Sequence, residues 1–391
     1  MTDRKCMNIH SALFRSLVIA KEACMLFRAG YYPWKSSGQA KLLFRDVFKS
    51  EPGESSRMEA FLQYSQMKPG RFTAFMRAYR EKSVRLIQEA NPVLSLGACD
   101  PILVCHVRDD LARVRMQIVY YRWYGIKHFV YIDNMSSDGT FEFLSGCRDV
   151  SLFRTAEPYT AAVSAAWTRQ IMDIYGYNRW YLCVDSDELL SYPGIEKLSI
   201  PRFAELLEGR KINVVTAFML DMHQKGIVFS GLGHDIFSNF RYFSSAPYAN
   251  VRTRTNRHIY GGFRSNIARV FLTKHPLLKM AETMLYTNDT VFPVKHNFDT
   301  GVVAVLLHYK FTPGDQERYM RIVREGTYHK GSREYKAYMH FLARNPGFST
   351  FTDDMDFYEN SESLRKIDIL DLDFFSGPYA GAMRASQNGG G

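Results

Sequence analysis

Six cysteines in 391 residues form no Cys-x-x-Cys pair and follow no metal-ligand spacing, and Cys105 and Cys183 sit inside apolar runs, where free cysteine serves as a small hydrophobe. A disulfide scaffold and a cysteine-built metal site are excluded, and a reducing, cytoplasmic setting is expected. Long apolar runs are also missing. The longest near the start, ALFRSLVIA, is broken by Arg15, falls short of the roughly 18 residues a membrane span needs, and is followed by no small-residue cleavage site. Neither secretion nor membrane spanning is expected. No GxGxxG or GxxxxGK[ST] loop follows any apolar run, which argues against dinucleotide oxidoreductases and P-loop enzymes.

What is present is the balance of a soluble globular protein, 46% hydrophobic and 23% charged, with a formal net charge of +10. That charge is uneven: residues 1–50 carry nine Lys/Arg against Asp3, Glu22 and Asp46. Residues 1–99 read as a basic, helical N-terminal extension, broken at AGYYPWKSSGQ and SEPGESS and packed as a cap on the main domain. The alternative is an arm that docks on an anionic membrane or nucleic acid. No RNA- or DNA-reading motif supports a nucleic-acid partner.

From residue 100 to about 345 the pattern becomes regular. PILVCHV, HFVYID, VSLF and WYLCVD read as strands, separated by helices over 111–124 (closing on Gly125), DGTFEFLSG and TAAVSAAWTRQIMDIYG. Strands and helices alternating over short links predict an α/β fold, with a mostly parallel, Rossmann-like sheet flanked by helices. Farther on, a helix at RFAELLEGR, a strand NVVTAFML ending in Asp221, a strand VVAVLLHYKF reaching His308, and helices over about 315–325 and 332–344 are expected. Residues 346–391 read as an acidic C-terminal segment ending in a disordered tail, ASQNGGG.

In parallel sheets ligands sit beyond the C-terminal ends of the strands. Three polar clusters fall there: Arg108-Asp109-Asp110, the run DNMSSDGT from Asp133, and Asp185-Ser186-Asp187-Glu188. The chain holds three Asp-x-Asp pairs, but 354/356 and 371/373 lie in the acidic C-terminal segment and read as solvated surface. Only Asp185 and Asp187 follow a central strand. Two carboxylates so placed can share Mn²⁺ or Mg²⁺, hard cations that keep positions open for phosphate oxygens and can neutralise a departing diphosphate. A helix-capping turn is the plain alternative.

The runs VRDDLARVRMQIVYYRWYGIKHFVYIDNMSSDGTFEFL, DVSLFRTAEPY and WYLCVDSDELLSYP resemble the family 2-type glycosyltransferases of the type A fold, in the bacterial branch with an Asp-x-Asp-Glu metal motif. The resemblance is dense over 101–195, looser through GGFRSN, KHPLLKM and LLHYKF, and does not cover 1–99. It implies that Asp133 contacts the nucleotide base, that Asp185 and Asp187 bind ribose and metal-diphosphate, and that His308 completes the metal site. Arg108, Asp109 and Asn134 are further nucleotide-contact candidates, although Arg108-Asp109-Asp110 departs from the family's common Asn-Glu ending. An inverting transfer needs a general base, for which Asp221 is first choice and Asp235 second. Arg252, Arg254, Arg257 and Arg264, interleaved with Tyr248, Tyr260 and Phe263, are suited to a diphosphate or an anionic glycan, or form a solvated basic face.

The expectation is therefore a metal-dependent glycosyltransferase using a nucleoside diphosphate sugar donor and a glycan or lipid-linked acceptor, in surface polysaccharide or lipopolysaccharide synthesis. It would be cytoplasmic, with peripheral contact to the inner membrane. A nucleotidyltransferase on the same sheet, or a non-catalytic docking protein, are the competing readings.

Overall fold

The structure, a computed structural model, describes residues 75–376 apart from 76, 80, 82, 83, 90–95, 232–234, 246, 288, 289 and 327. Most of the basic N-terminal segment and the tail from 377 lie outside the described residues. The first half of the described chain runs β1 (Arg85–Gln88), β2 (Ile102–Val107), α1 (Leu111–Trp123), β3 (His128–Asp133), α2 (Thr140–Ser145), β4 (Val150–Arg154), α3 (Ala161–Tyr175), β5 (Arg179–Cys183), β6 (Glu188–Ser191), α4 (Ile200–Gly209) and β7 (Thr216–Asp221). The second half runs α5 (Ile236–Asn239), β8 (Tyr242–Phe243), β9 (Ala249–Arg252), β10 (Arg257–Tyr260), α6 (Gly262–Ala268), β11 (Thr273–Lys274), β12 (Leu277–Met280), β13 (Leu285–Tyr286), β14 (Val291–Phe292), β15 (Val302–His308), α7 (Asp315–Glu325), α8 (His329–Arg344) and β16 (Asp356–Phe357).

The fold is mixed α/β around two sheets. The larger has the order β1-β4-β3-β2-β5-β12, in which β4, β3, β2 and β5 pair in parallel and the two edge strands are antiparallel. Every residue of β3 is buried, and only His106 of β2 is partly exposed, which accounts for their unbroken apolar sequences. The smaller sheet, β11-β7-β15-β6, has one parallel pair, β7 with β15. Its three longer strands are buried throughout.

Local signals behave as their chemistry requires. Gly125 ends α1 at φ +93°, and a Cβ there would stand 3.1 Å from Cδ of Pro201. Asp138, in the Asp-Gly turn, accepts from the backbone N–H groups of Thr140 and Leu111 at 3.0 Å each, tying the first turns of α2 and α1 together.

Two expectations need correction. Residues 85–88, assigned to a helical extension, form a strand on the edge of the main sheet, because their backbone pairs with β4. The acidic segment after 345 is not merely solvated: Tyr358, Leu364, Ile367, Leu370 and Phe375 are buried in the main core. Most of its charges lie at the surface, while these apolar residues, three to six positions apart, anchor the chain.

Candidate functional site

The chain leaves the larger sheet at the end of β5 and enters the smaller one at β6, so residues 184–187 lie at the seam between them. Register does the rest. His308, the last residue of β15, pairs with Asp221 on β7 and with Glu188 on β6, and Tyr309 N donates to the Asp187 carbonyl at 2.9 Å. Carboxylates far apart in sequence are thereby delivered to one spot.

At that spot His308 Nδ1 lies 2.7 Å from Asp221 Oδ1, and its Nε2 lies 3.6 Å from Asp187 Oδ2. Asp187 Oδ2 also meets Lys310 Nζ at 3.0 Å. Arg264, buried on α6, reaches Asp221 at 3.3 Å and Glu334 at 2.9 Å. Burial pushes Asp187 upward, but Lys310, His308, Arg113 and Arg318 outweigh it and hold the carboxyl well below its usual range. The same contest at Asp221, with Arg264 as the main cation, leaves it at about 2. Burial, reinforced by Arg264 and opposed by Asp187 and Asp221, lowers His308.

Asp185 and Glu188 share Lys274, whose Nζ lies 2.9 Å from Asp185 Oδ2 and 3.0 Å from Glu188 Oε1. Asp185 is 47% exposed at its side chain, whereas Glu188 is buried. Burial, opposed by Lys274 and aided by Asp185 and Asp187, pushes Glu188 up to about 7. Single ligand atoms of Asp187, Glu188 and His308 lie within 4.8 Å of one another. Among the described residues this is the one such acidic or histidine group, and Asp185, expected as a ligand, stands outside it. Its two oxygens and one imidazole nitrogen suit a divalent cation. His308 Nδ1 has two neighbours that ask opposite things of it: the Asp221 carboxylate at 2.7 Å can only accept, and Arg264 Nη1 at 3.1 Å can only donate. The shorter contact favours the hydrogen on Nδ1, which leaves the Nε2 lone pair facing Asp187.

The seam opens into a solvent-connected cleft with a cavity volume of about 90 Å³, lined by Asp185, Asp187, Asn134 and Tyr159 and by the cations Lys310, Arg318 and Arg321. Its two arginines are carried by α7, which is laid along the loop after β2, and Lys310 follows β15. Arg318 pairs with Asp110 at 3.1 Å, Arg321 with Asp109 at 2.6 Å, and Glu325 with Arg108 at 3.2 Å. Spacings of three and four residues put these three side chains on one helix face. Tyr159 and Tyr328 stack across the cleft at 4.9 Å. Below, Arg113 is buried between Asp110 (2.8 Å) and Asp315.

The other sequence candidates separate. Asn134 lines the cleft, its amide nitrogen donating to the carbonyls of Thr155 and Glu157 at 2.9 Å each. Asp133 is fully buried, paired with Arg154 at 3.1 Å, and raised by that burial. Asp109 accepts from Ser137 N at 2.7 Å with its backbone at φ +51°, an uncommon conformation for aspartate. Asp235 is exposed and caps α5 by accepting from Ser238 N at 3.2 Å, so it is not brought to the cleft. Lys274, Lys310 and the α7 arginines escaped sequence reading; the one local hint was Lys310, two residues after His308.

No protein-family model matches the sequence, and no curated protein matches it. Similar solved structures include a mannosyltransferase from Pyrobaculum calidifontis in complex with GDP-mannose and Mn²⁺, at 11% identity over 86% of this chain and 88% of that one, with a TM-score of 0.28. A nucleotidyl transferase from Methanothermobacter thermautotrophicus is similar at 12% identity over 63% of this chain and all of that one, with a TM-score of 0.24. Likenesses this distant carry no argument about activity. Among the described residues no helix is long and apolar enough to cross a membrane.

Proposed function

We propose that the chain is a glycosyltransferase of the type A, family 2-like kind, moving a sugar from a nucleoside diphosphate donor to a glycan or lipid-linked acceptor hydroxyl with inversion. The observation that carries this reading is the line Asp221, His308, Asp187, which ends at a cleft walled by Lys310, Arg318 and Arg321. Acidic metal ligands beside a cationic wall suit a metal-bound diphosphate, whereas neither feature alone would.

In this reading Asp187 and His308, with Glu188 behind them, hold the cation. Mn²⁺ or Mg²⁺, when bound, supplies positive charge to the leaving diphosphate. Arg318 and Arg321 exchange their partners Asp110 and Asp109 for phosphate oxygens, which offer guanidinium the same planar contact. Tyr159 and Tyr328 provide ring faces for the base, and the amide oxygen of Asn134 faces it as an acceptor. Asp185, open to the cleft, takes the ribose.

Asp221 is reassigned. At about 2, and spent on Arg264 and His308, it makes a poor proton acceptor, so it positions His308 rather than serving as general base. Of the carboxylates lining the cleft, Asp185 and Asp187 are engaged as above, which leaves Glu325, once parted from Arg108 at 3.2 Å, to take the acceptor's proton. A nucleotidyltransferase would need a free basic loop after β2, but Arg108 and Arg113 there are ion-paired to Glu325, Asp110 and Asp315.

Calorimetric titration of UDP and GDP, with and without Mn²⁺, into the native chain and Asp187→Asn tests this. Binding that needs both the metal and Asp187 is expected. Folded native protein that binds neither nucleotide in any divalent metal would refute the proposal.

A further inference from the structure

The hairpin of β9 and β10 stands apart from the cleft. Its arginines lie over Phe298, four residues before the start of β15, while His308 is the last residue of that strand. Seven strand residues at about 3.3 Å each separate the two by roughly 20 Å. Of the four arginines that the sequence interleaves with aromatic residues here, Arg264 turns inward to Asp221 and the others stay on the hairpin.

Arg252 pairs directly with Arg257 across the two strands. Like charges so opposed destabilise a strand pair. They are nevertheless held together, because both guanidinium groups lie over one ring, Phe298, at 4.4 and 5.8 Å. The turn that joins them is tight, with Thr253 N donating to Asn256 O at 2.8 Å, and it places exposed Arg254 at its tip.

No carboxylate among the described residues comes within ion-pair distance of Arg252, Arg254 or Arg257, and Arg257 Nε is buried without a hydrogen-bond partner. The nearby carboxylates have other hydrogen-bond partners. Asp299, next to Phe298, holds His296 at 3.0 Å and accepts from Asn213 N, and Asp371 accepts from Phe374 N at 3.3 Å. Burial, then Arg252, lowers the Arg257 pKa, and Asp371, beyond ion-pair distance, offsets them only in part. An anion between the two forks would relieve the repulsion and fill the idle donors.

We propose that Arg252 and Arg257, backed by Phe298 and flanked by Arg254, form a phosphate-binding clamp separate from the nucleotide cleft. Its distance from the cleft means that the phosphate belongs to something other than the donor diphosphate at the metal site. A lipid headgroup and a soluble phosphorylated molecule share this chemistry.

The test compares the full-length native chain with R252Q/R257Q. Thermal unfolding is followed with inorganic phosphate against chloride at equal ionic strength, and flotation with vesicles of phosphatidylglycerol in phosphatidylcholine. In chloride the variant should be at least as stable as the native chain, since it loses opposed like charges. Phosphate should raise the native Tm by more than the variant's, the remainder coming from the cleft arginines. If the source is a lipid, vesicle binding should fall about tenfold in the variant; if soluble, the phosphate effect appears without vesicle binding. Equal phosphate shifts in both proteins, with no difference on vesicles, would overturn the clamp. Should the glutamine pair fail to fold, R252K/R257K keeps the charge but not the fork and permits the same comparison. Nucleotide binding at the cleft should be unchanged in either variant.

Discussion

His308 Nδ1 lies 2.7 Å from Asp221 Oδ1, a contact that turns the other ring nitrogen toward Asp187 at 3.6 Å. The histidine is thus oriented from behind by a carboxylate that never reaches the cleft. Such outer partners fix the tautomer and basicity of a metal-binding imidazole.

Asp221→Asn should therefore weaken Mn²⁺ binding by about 10- to 100-fold while leaving the donor set intact. Titration of free Mn²⁺ followed by electron paramagnetic resonance gives the answer without any turnover. Unchanged affinity would remove Asp221 from this role.

Lys310 is nearly buried against Asp187, so Asp187→Ala leaves an ammonium without counter-charge. Breaking such a pair costs about 3–5 kcal/mol. Urea unfolding should show that loss in Asp187→Ala and much less of it in the double variant Asp187→Ala/Lys310→Met.

Arg113 joins Asp110, at the start of α1, to Asp315, at the start of α7, with both partners buried. Arg113→Ala leaves the two carboxylates with Arg318 alone, at 3.1 and 3.8 Å, and should lower stability by about 3 kcal/mol, again by urea unfolding. Conservative Arg113→Lys should recover only part, because the guanidinium also donates to Tyr309 O and Thr312 Oγ1 at 3.0 and 2.7 Å.

Burial lowers His106 and His223 to about 4 each and lowers His128 as well. In the unfolded chain these rings take protons near pH 6.5, so between roughly pH 6.5 and 4 the unfolded state binds more protons than the folded one. Their contribution is complete above pH 6.5 and is lost as pH falls through about 4. Stability should drop by a few kcal/mol over that interval. A flat Tm from pH 7 to 4.5 would contradict the burial of these rings.

Much of the frame was legible along the chain. β2, β3 and β5 are unbroken apolar runs because they are buried on both sides, and α1 stops where Gly125 alone tolerates the backbone. The strand ends that carry Asp133, Asp185, Asp221 and His308 could be named from these patterns. β1 was not legible: its exposed RLIQ is made a strand by the neighbouring edge of β4 rather than by its own pattern.

The sequence by itself determined which polar residues lie at strand ends, since hydrophobic periodicity and turn chemistry act over a few residues. Only the tertiary structure decided how they combine. Register between β6, β7 and β15 set Glu188, His308 and Asp221 side by side, and the packing of α7 brought Arg318 and Arg321 over a loop some 200 residues earlier. It also separated Arg264 from Arg252 and Arg257, which are close neighbours in sequence. The physical reason is that charge pairing and metal chemistry depend on separation in space, and strand pairing sets that separation without leaving a local trace in the residues it joins.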